Sequence, residues 1–193
     1  MNSTAGRSRG DGAEPEWVGA VLHYWFDELG EEHWFSADPK VDAQIRERFL
    51  ALHRQISASQ LASFTTARTL LAAVIVLDQF SRNIFRGTAN AYAADSLARR
   101  LADAAISHGY DRELSVAQRE FLYLPFQHSE DPRDQARSIE LFEQLGDEGS
   151  MKYALAHKSI IDRFGRFPHR NAILGRTSSA EEIASLNEPM GSF

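Results

Sequence analysis

Residues 70–87, LLAAVIVLDQFSRNIFRG, constrain this chain more than any other stretch. From Leu70 to Leu77 every residue is apolar, and Phe80, Ile84 and Phe85 extend the pattern. A helix apolar on nearly all sides belongs inside a bundle rather than on its surface. The run falls far short of the roughly 20 residues that cross a bilayer, so a membrane-spanning reading is rejected. Yet Asp78, Arg82 and Arg86 recur every fourth residue, with Gln79 and Asn83 beside them. At about 3.6 residues per turn, these five side chains share one polar stripe on a buried helix. Charges in such a place must be paired. Asp78 precedes Arg82 by one turn, the favourable order for a helical ion pair. A plain Asp78–Arg82 pair is therefore the structural expectation, and a ligand site is the alternative.

Around this stretch the chain reads as seven to eight helices with no convincing strand. Pro15 suits a first helical position, and Asp38-Pro39 and Asp131-Pro132 are acid–proline helix starts. Ser63 to Thr66 can cap the central helix, and Thr88 or Asn90 can open the next. Ser115 to Gln118 and Ser178 to Glu181 have the capping-box pattern. Pro125 should bend or stop its helix, and Gly87, Gly109 and Gly146 should end theirs. His33-Trp34-Phe35 reads as an aromatic connector packed into the core. Residues 1–13 are expected to be a disordered tail, and 14–193 a single all-α domain. Short links between helices favour stacked antiparallel hairpins. No exact repeat is present, which leaves a divergent α-solenoid and a globular bundle as alternatives.

Composition removes several function classes. A net charge of −6 argues against general nucleic-acid binding, which needs a basic face. With no cysteine there is no disulfide, thiolate nucleophile or thiolate ligand, which suits a cytoplasmic location. The arginine-containing N-terminus has no apolar core segment of the kind a secretory signal needs.

Two further segments look overspecified for packing. In residues 123–131, YLPFQHSED, a proline near a helix end places His128, Ser129 and Glu130 on a turn. Capping by Ser129 or Asp131, with His128 on a core carbonyl, is the simpler account. Residues 163–176, RFGRFPHRNAILGR, hold Arg163, Arg166, Arg170 and Arg176 with His169 and Asn171, and no acid. Buried guanidinium groups need acceptors. Asp78, Glu130, helix C-terminal carbonyls or a bound anion could supply them, which predicts that this loop and the polar stripe meet in space. Clamping of helix ends is the structural alternative. Metal-ligand spacing is missing among His128, His157 and His169, and neighbouring arginines would repel a cation. No cofactor is called for. A triad of Ser129, His157 and Asp78 lacks a nucleophile elbow.

LDQFSRNIFRGTANAYAAD, FLYLPFQHSED and RFGRFPHRNAILGR resemble the hallmark blocks of the bacterial domain-of-unknown-function family 924. The WFDELGEEHWF start and EPMGSF ending are similar too. The resemblance implies an all-α, tetratricopeptide-like α-α superhelix and brings no activity, cofactor or catalytic residue. Ser81 stands where the family usually has proline, Phe64 where it has tryptophan, and Ser185 where it has an aromatic residue.

The functional expectation is a polar pocket for a small anionic metabolite, a phosphate or carboxylate, built from Asp78, Gln79, Arg82, Asn83, Arg86, His128, Glu130, Arg166, His169, Arg170 and Asn171. Arginine forks would hold the anion, and a histidine–acid pair could move a proton. The alternative is a scaffold binding a peptide or partner protein in a superhelical groove, with a structural arginine cluster.

Overall fold

Helix α3 (Ala67–Leu77) is the centre of the molecule, and every residue in it except Arg68 is buried. The structure is a computed structural model that describes residues 13–191, and those residues are all-α with no strand. Residues 1–12 of the expected tail lie outside the described residues. Around α3 pack α1 (Glu16–His23), α2 (Pro39–Ser57), α5 (Asp95–Ser107) and α6 (Val116–Gln127). Helix α7 (Pro132–Leu145) then packs on α6, and α8 (Glu148–Phe164) packs on α7 and α6. The short α9 (Ala180–Ser185) closes the described chain.

The central rod is not continuous. Asp78, with φ −96° and ψ −62°, separates α3 from α4 (Gln79–Ile84). Just beyond it, Ser81 Oγ donates to the carbonyl of Leu77 at 2.6 Å. Such back-bonding competes with the helical ladder and bends helices. Proline, usual at this position in the resembled family, would bend the rod by another route, since it has no N–H for that carbonyl. Counting α3 and α4 as one interrupted rod gives eight helices among the described residues.

Local chemistry explains most boundaries. Asp38 and Asp131 accept from the backbone N–H of Lys40 and Arg133, with proline at the first helical position. Thr66 and Ser115 close capping boxes with Thr69 and Gln118. Other expectations need correction. Pro15 precedes α1 rather than opening it. A short 3-10 turn, Ala89–Tyr92, occupies the expected start of the next helix, which begins at Asp95. Pro125 lies within α6, which runs on to Gln127. The last box is formed by Ser179 and Glu182, one residue later than the pattern suggested. Phe35 is 67% exposed, although its ring stacks on Phe121. The main core runs through α1 to α8, while Ile160, Ile161 and Phe167 form a second small core beneath the 163–176 loop.

Candidate functional site

The break at Asp78 places a carboxylate with no exposed surface where the ends of several elements meet. His128, the C-cap of α6, sets Nδ1 2.8 Å from Asp78 Oδ1. Gln79 Nε2 donates to the other oxygen at 2.5 Å, and Arg82 Nη2 reaches Oδ1 at 3.5 Å. Burial alone would raise the Asp78 carboxyl, but His128, Arg82 and Gln79 outweigh it and hold the group at about 2. Asp78 is thus ionised at neutral pH. An ionised acceptor holds a proton on Nδ1 of His128, with Nε2 on the far side of the ring. No described residue hydrogen-bonds that Nε2, and the side chain is 17% exposed.

Arg82 does not take Asp78 as its chief partner. Its Nη1 and Nη2 grip the two oxygens of Asp95 at 2.7 and 3.0 Å, and Nη1 also donates to the carbonyl of Ala91. Arg82 stacks over Tyr92, 4.8 Å from the ring centre. Arg170, from the 3-10 turn Pro168–Arg170, stacks over Tyr92 at 4.7 Å and over Phe167 at 4.5 Å. Two guanidinium groups from distant parts of the chain therefore share one aromatic ring.

Arg170 is held differently from every other arginine of its loop. Arg176 makes a two-point pair with Glu130 at 2.7 and 2.9 Å, and Arg166 does the same with buried Glu182 at 2.6 and 2.9 Å. Arg163 reaches Glu181 and Glu188 at the surface. Arg170, only 6% exposed, has Asp95 at 3.7 Å as its nearest carboxylate, and its buried Nε has no hydrogen-bond partner among the described residues. Burial, and then the positive charge of Arg82, push this guanidinium down to about 10.

Two more imidazoles complete the cluster. His157 on α8 is buried, uses Nδ1 on the carbonyl of Tyr153 at 2.8 Å, and lies 6.0 Å from His128 ring to ring. Burial first, then the neighbouring His128, push it down to about 3. His169, beside Phe167, is pushed down to about 4 by burial, with Arg170 and His128 adding to the effect. Both are neutral at physiological pH and can accept or relay a proton.

The polar stripe and the 163–176 loop thus meet, through Tyr92 and Asp95. Asp78, Gln79, Arg82, His128, His169 and Arg170 converge. Asn83 and Arg86 do not, because both face the other way onto Asp42 of α2 at 2.8 and 2.6 Å. Arg166 and Asn171 belong to the α9 attachment, where Asn171 donates to Ser178 Oγ at 3.0 Å. Glu130 anchors the loop, accepting from the Phe167 N–H at 2.8 Å and from Arg176. Tyr92 and Asp95 were missing from the sequence reading, since neither stands in a charged run. Asp131 caps α7 as expected, but His128 pairs with a carboxylate rather than a core carbonyl.

The fold recurs in a relative. The profile of a bacterial protein family of unknown function, DUF924, matches residues 21–190. The chain belongs to the DUF924 family. A solved structure of a protein of unknown function, ATU0120 from Agrobacterium tumefaciens, is 39% identical to it, with a TM-score of 0.82. The match covers 90% of this chain and 98% of that one. No curated protein matches. Among the described residues of this DUF924 protein, no helix is long and apolar enough to cross a membrane, and no group of three His, Asp or Glu is placed to hold a metal.

Proposed function

We propose that the face formed by Asp78, Arg82, His128, His169 and Arg170 binds a small anion, the phosphate or carboxylate group of a metabolite. Arg170 carries the reading. A buried guanidinium that donates no hydrogen bond to a described residue, and whose nearest carboxylate is already gripped by Arg82, is costly to keep. An anion supplies the missing acceptor. The face is partly open, with side-chain exposures of 20% at Arg82 and 22% at Asp95. Beside it the Asp78–His128 pair is suited to moving a proton.

A scaffold role is the second reading, supported by the successive packing of α6 on α7 and α7 on α8. Melting in an inorganic phosphate titration, at constant ionic strength, separates the two. Under the anion reading the melting temperature climbs with phosphate. Arg170→Met then abolishes the climb while leaving the phosphate-free protein as stable or more so. If Arg170 is a structural clamp, the same variant loses about 1–3 kcal/mol and neither protein responds to phosphate.

A further inference from the structure

The hydroxyl of Ser81 does more than bend the central rod. Its one hydrogen goes to the carbonyl of Leu77 at 2.6 Å, because a carbonyl oxygen can only accept. His53 Nε2, 2.8 Å from Ser81 Oγ, is therefore the donor in that contact. His53 is only 7% exposed, and burial, with Arg54 adding to it, pushes its imidazole down from the usual range, so the ring is neutral. A neutral ring carries one hydrogen, and here it sits on Nε2. Nδ1 is left as a lone-pair acceptor. Its one partner among the described residues is Ser57 Oγ at 3.5 Å, longer than a well-formed hydrogen bond.

His53 and Ser57 line a cleft of about 480 Å³ between the C-terminal end of α2, the residue that ends α4 and the turn leading into α5. That volume suits a small molecule. Phe85, Ala58, Ala93, Ala94 and Leu97 supply an apolar wall, and the Phe85 ring meets the imidazole edge-on with centroids 5.2 Å apart. Arg54 is the one charged residue among those that line it, so a cation finds no acid there. A carboxylate brought against Nδ1 meets a lone pair and is repelled. A neutral hydroxyl fits both atoms at once: it donates to Nδ1 and accepts from Ser57, replacing one long contact with two short ones. An aromatic body then covers the apolar wall beside Phe85. We propose that this cleft binds a small neutral phenol, with His53 Nδ1 accepting the phenolic hydrogen and Ser57 donating to the phenolic oxygen. The cleft shares no lining residue with the anion-binding face.

The probe is 4-ethylphenol, and its control is 4-ethylanisole, which keeps the ring and has no hydrogen to donate. Each is titrated into the full chain and followed by its amide and imidazole nitrogen-15 signals. The phenol should bind about fivefold more tightly than the anisole, the worth of one net hydrogen bond. It should shift the Nδ1 signal of His53 and leave Nε2 protonated, with amide changes centred on Ala58, Asn90, Ala93 and Ala94. Ser57→Ala, at an exposed position, should weaken the phenol by a similar factor at an unchanged melting temperature. Ala93→Trp, also at an exposed position, should fill the cleft and abolish binding of both probes. Anisole binding as tightly as the phenol overturns the role of His53. Binding of 4-ethylbenzoate as tight as that of the phenol overturns the neutral ligand. Full affinity in Ala93→Trp, or amide changes centred elsewhere, overturns the location, and binding of neither probe removes the site.

Discussion

His128 Nδ1 stands 2.8 Å from Oδ1 of Asp78, although the two residues are fifty positions apart in the chain. The contact joins the C-terminus of α6 to the interruption in the central rod, so it ties architecture to chemistry. Removing the carboxylate leaves His128 and Gln79 without their acceptor in a buried place, while Arg82 keeps Asp95. Asp78→Ala should therefore destabilise the protein by about 3 kcal/mol. Urea unfolding of the two proteins measures it, and a loss below about 1 kcal/mol would show that water reaches the pair.

The two arginines that follow Asp78 should behave unequally, despite their regular spacing. Arg82 has a side chain 20% exposed and bridges Asp78 to Asp95. Arg86 is 42% exposed, and its partner Asp42 also holds Asn83. Arg82→Met should cost about 2–3 kcal/mol, because it removes the two-point partner of half-buried Asp95 and a secondary partner of buried Asp78. Arg86→Met should cost less than about 1 kcal/mol. Equal losses in chemical denaturation would contradict the split of the stripe into two faces.

Acid should weaken the fold well above the range in which carboxylates titrate. His157 and His169 lie at about 3 and about 4 in the folded protein, against 6.5 for a free imidazole. Between about 6.5 and 4 the unfolded chain binds more protons than the folded one, so stability falls as pH falls. Each histidine contributes up to about 1.4 kcal/mol per pH unit across that window. Asp78, held at about 2 against 3.8, adds a separate loss only as pH drops from about 3.8 toward 2. Comparing urea midpoints at pH 7 and pH 5, His157→Leu should show a shallower decline than wild type. Parallel declines would mean that His157 is not kept neutral by burial.

Much of this architecture was legible in the sequence where the signal is local. Asp38-Pro39, Asp131-Pro132 and the Ser115–Gln118 box act within one helical turn, and each sits where its chemistry indicated. The unbroken apolar run correctly marked the centre of the bundle. Charge accounting brought the stripe and the arginine loop together, because buried guanidinium groups must find partners somewhere. Which partners they find was not legible. The spacing of Asp78 and Arg82 suggested an exclusive pair, whereas Asp95 presents both oxygens to Arg82 across a tertiary contact that spacing cannot reveal. The break at Asp78 was hidden for a similar reason, since Ser81 bends the rod through its hydroxyl group and reads in sequence as an ordinary polar residue.

Glu130 has a wider consequence. Its one carboxylate accepts from the Phe167 N–H and from Arg176, and so joins the turn that carries His128 to the loop that carries Arg170. That loop begins after Gly165 and closes at Gly175, both at positive φ, so its ends are pivots that most side chains would strain. Glu130 thus adds a strut between neighbouring turns to the Tyr92 and Asp95 contacts that already draw the guanidinium toward the Asp78–His128 pair. Loss of the strut would untie the turn from the loop while leaving the capping and packing of each helix in place.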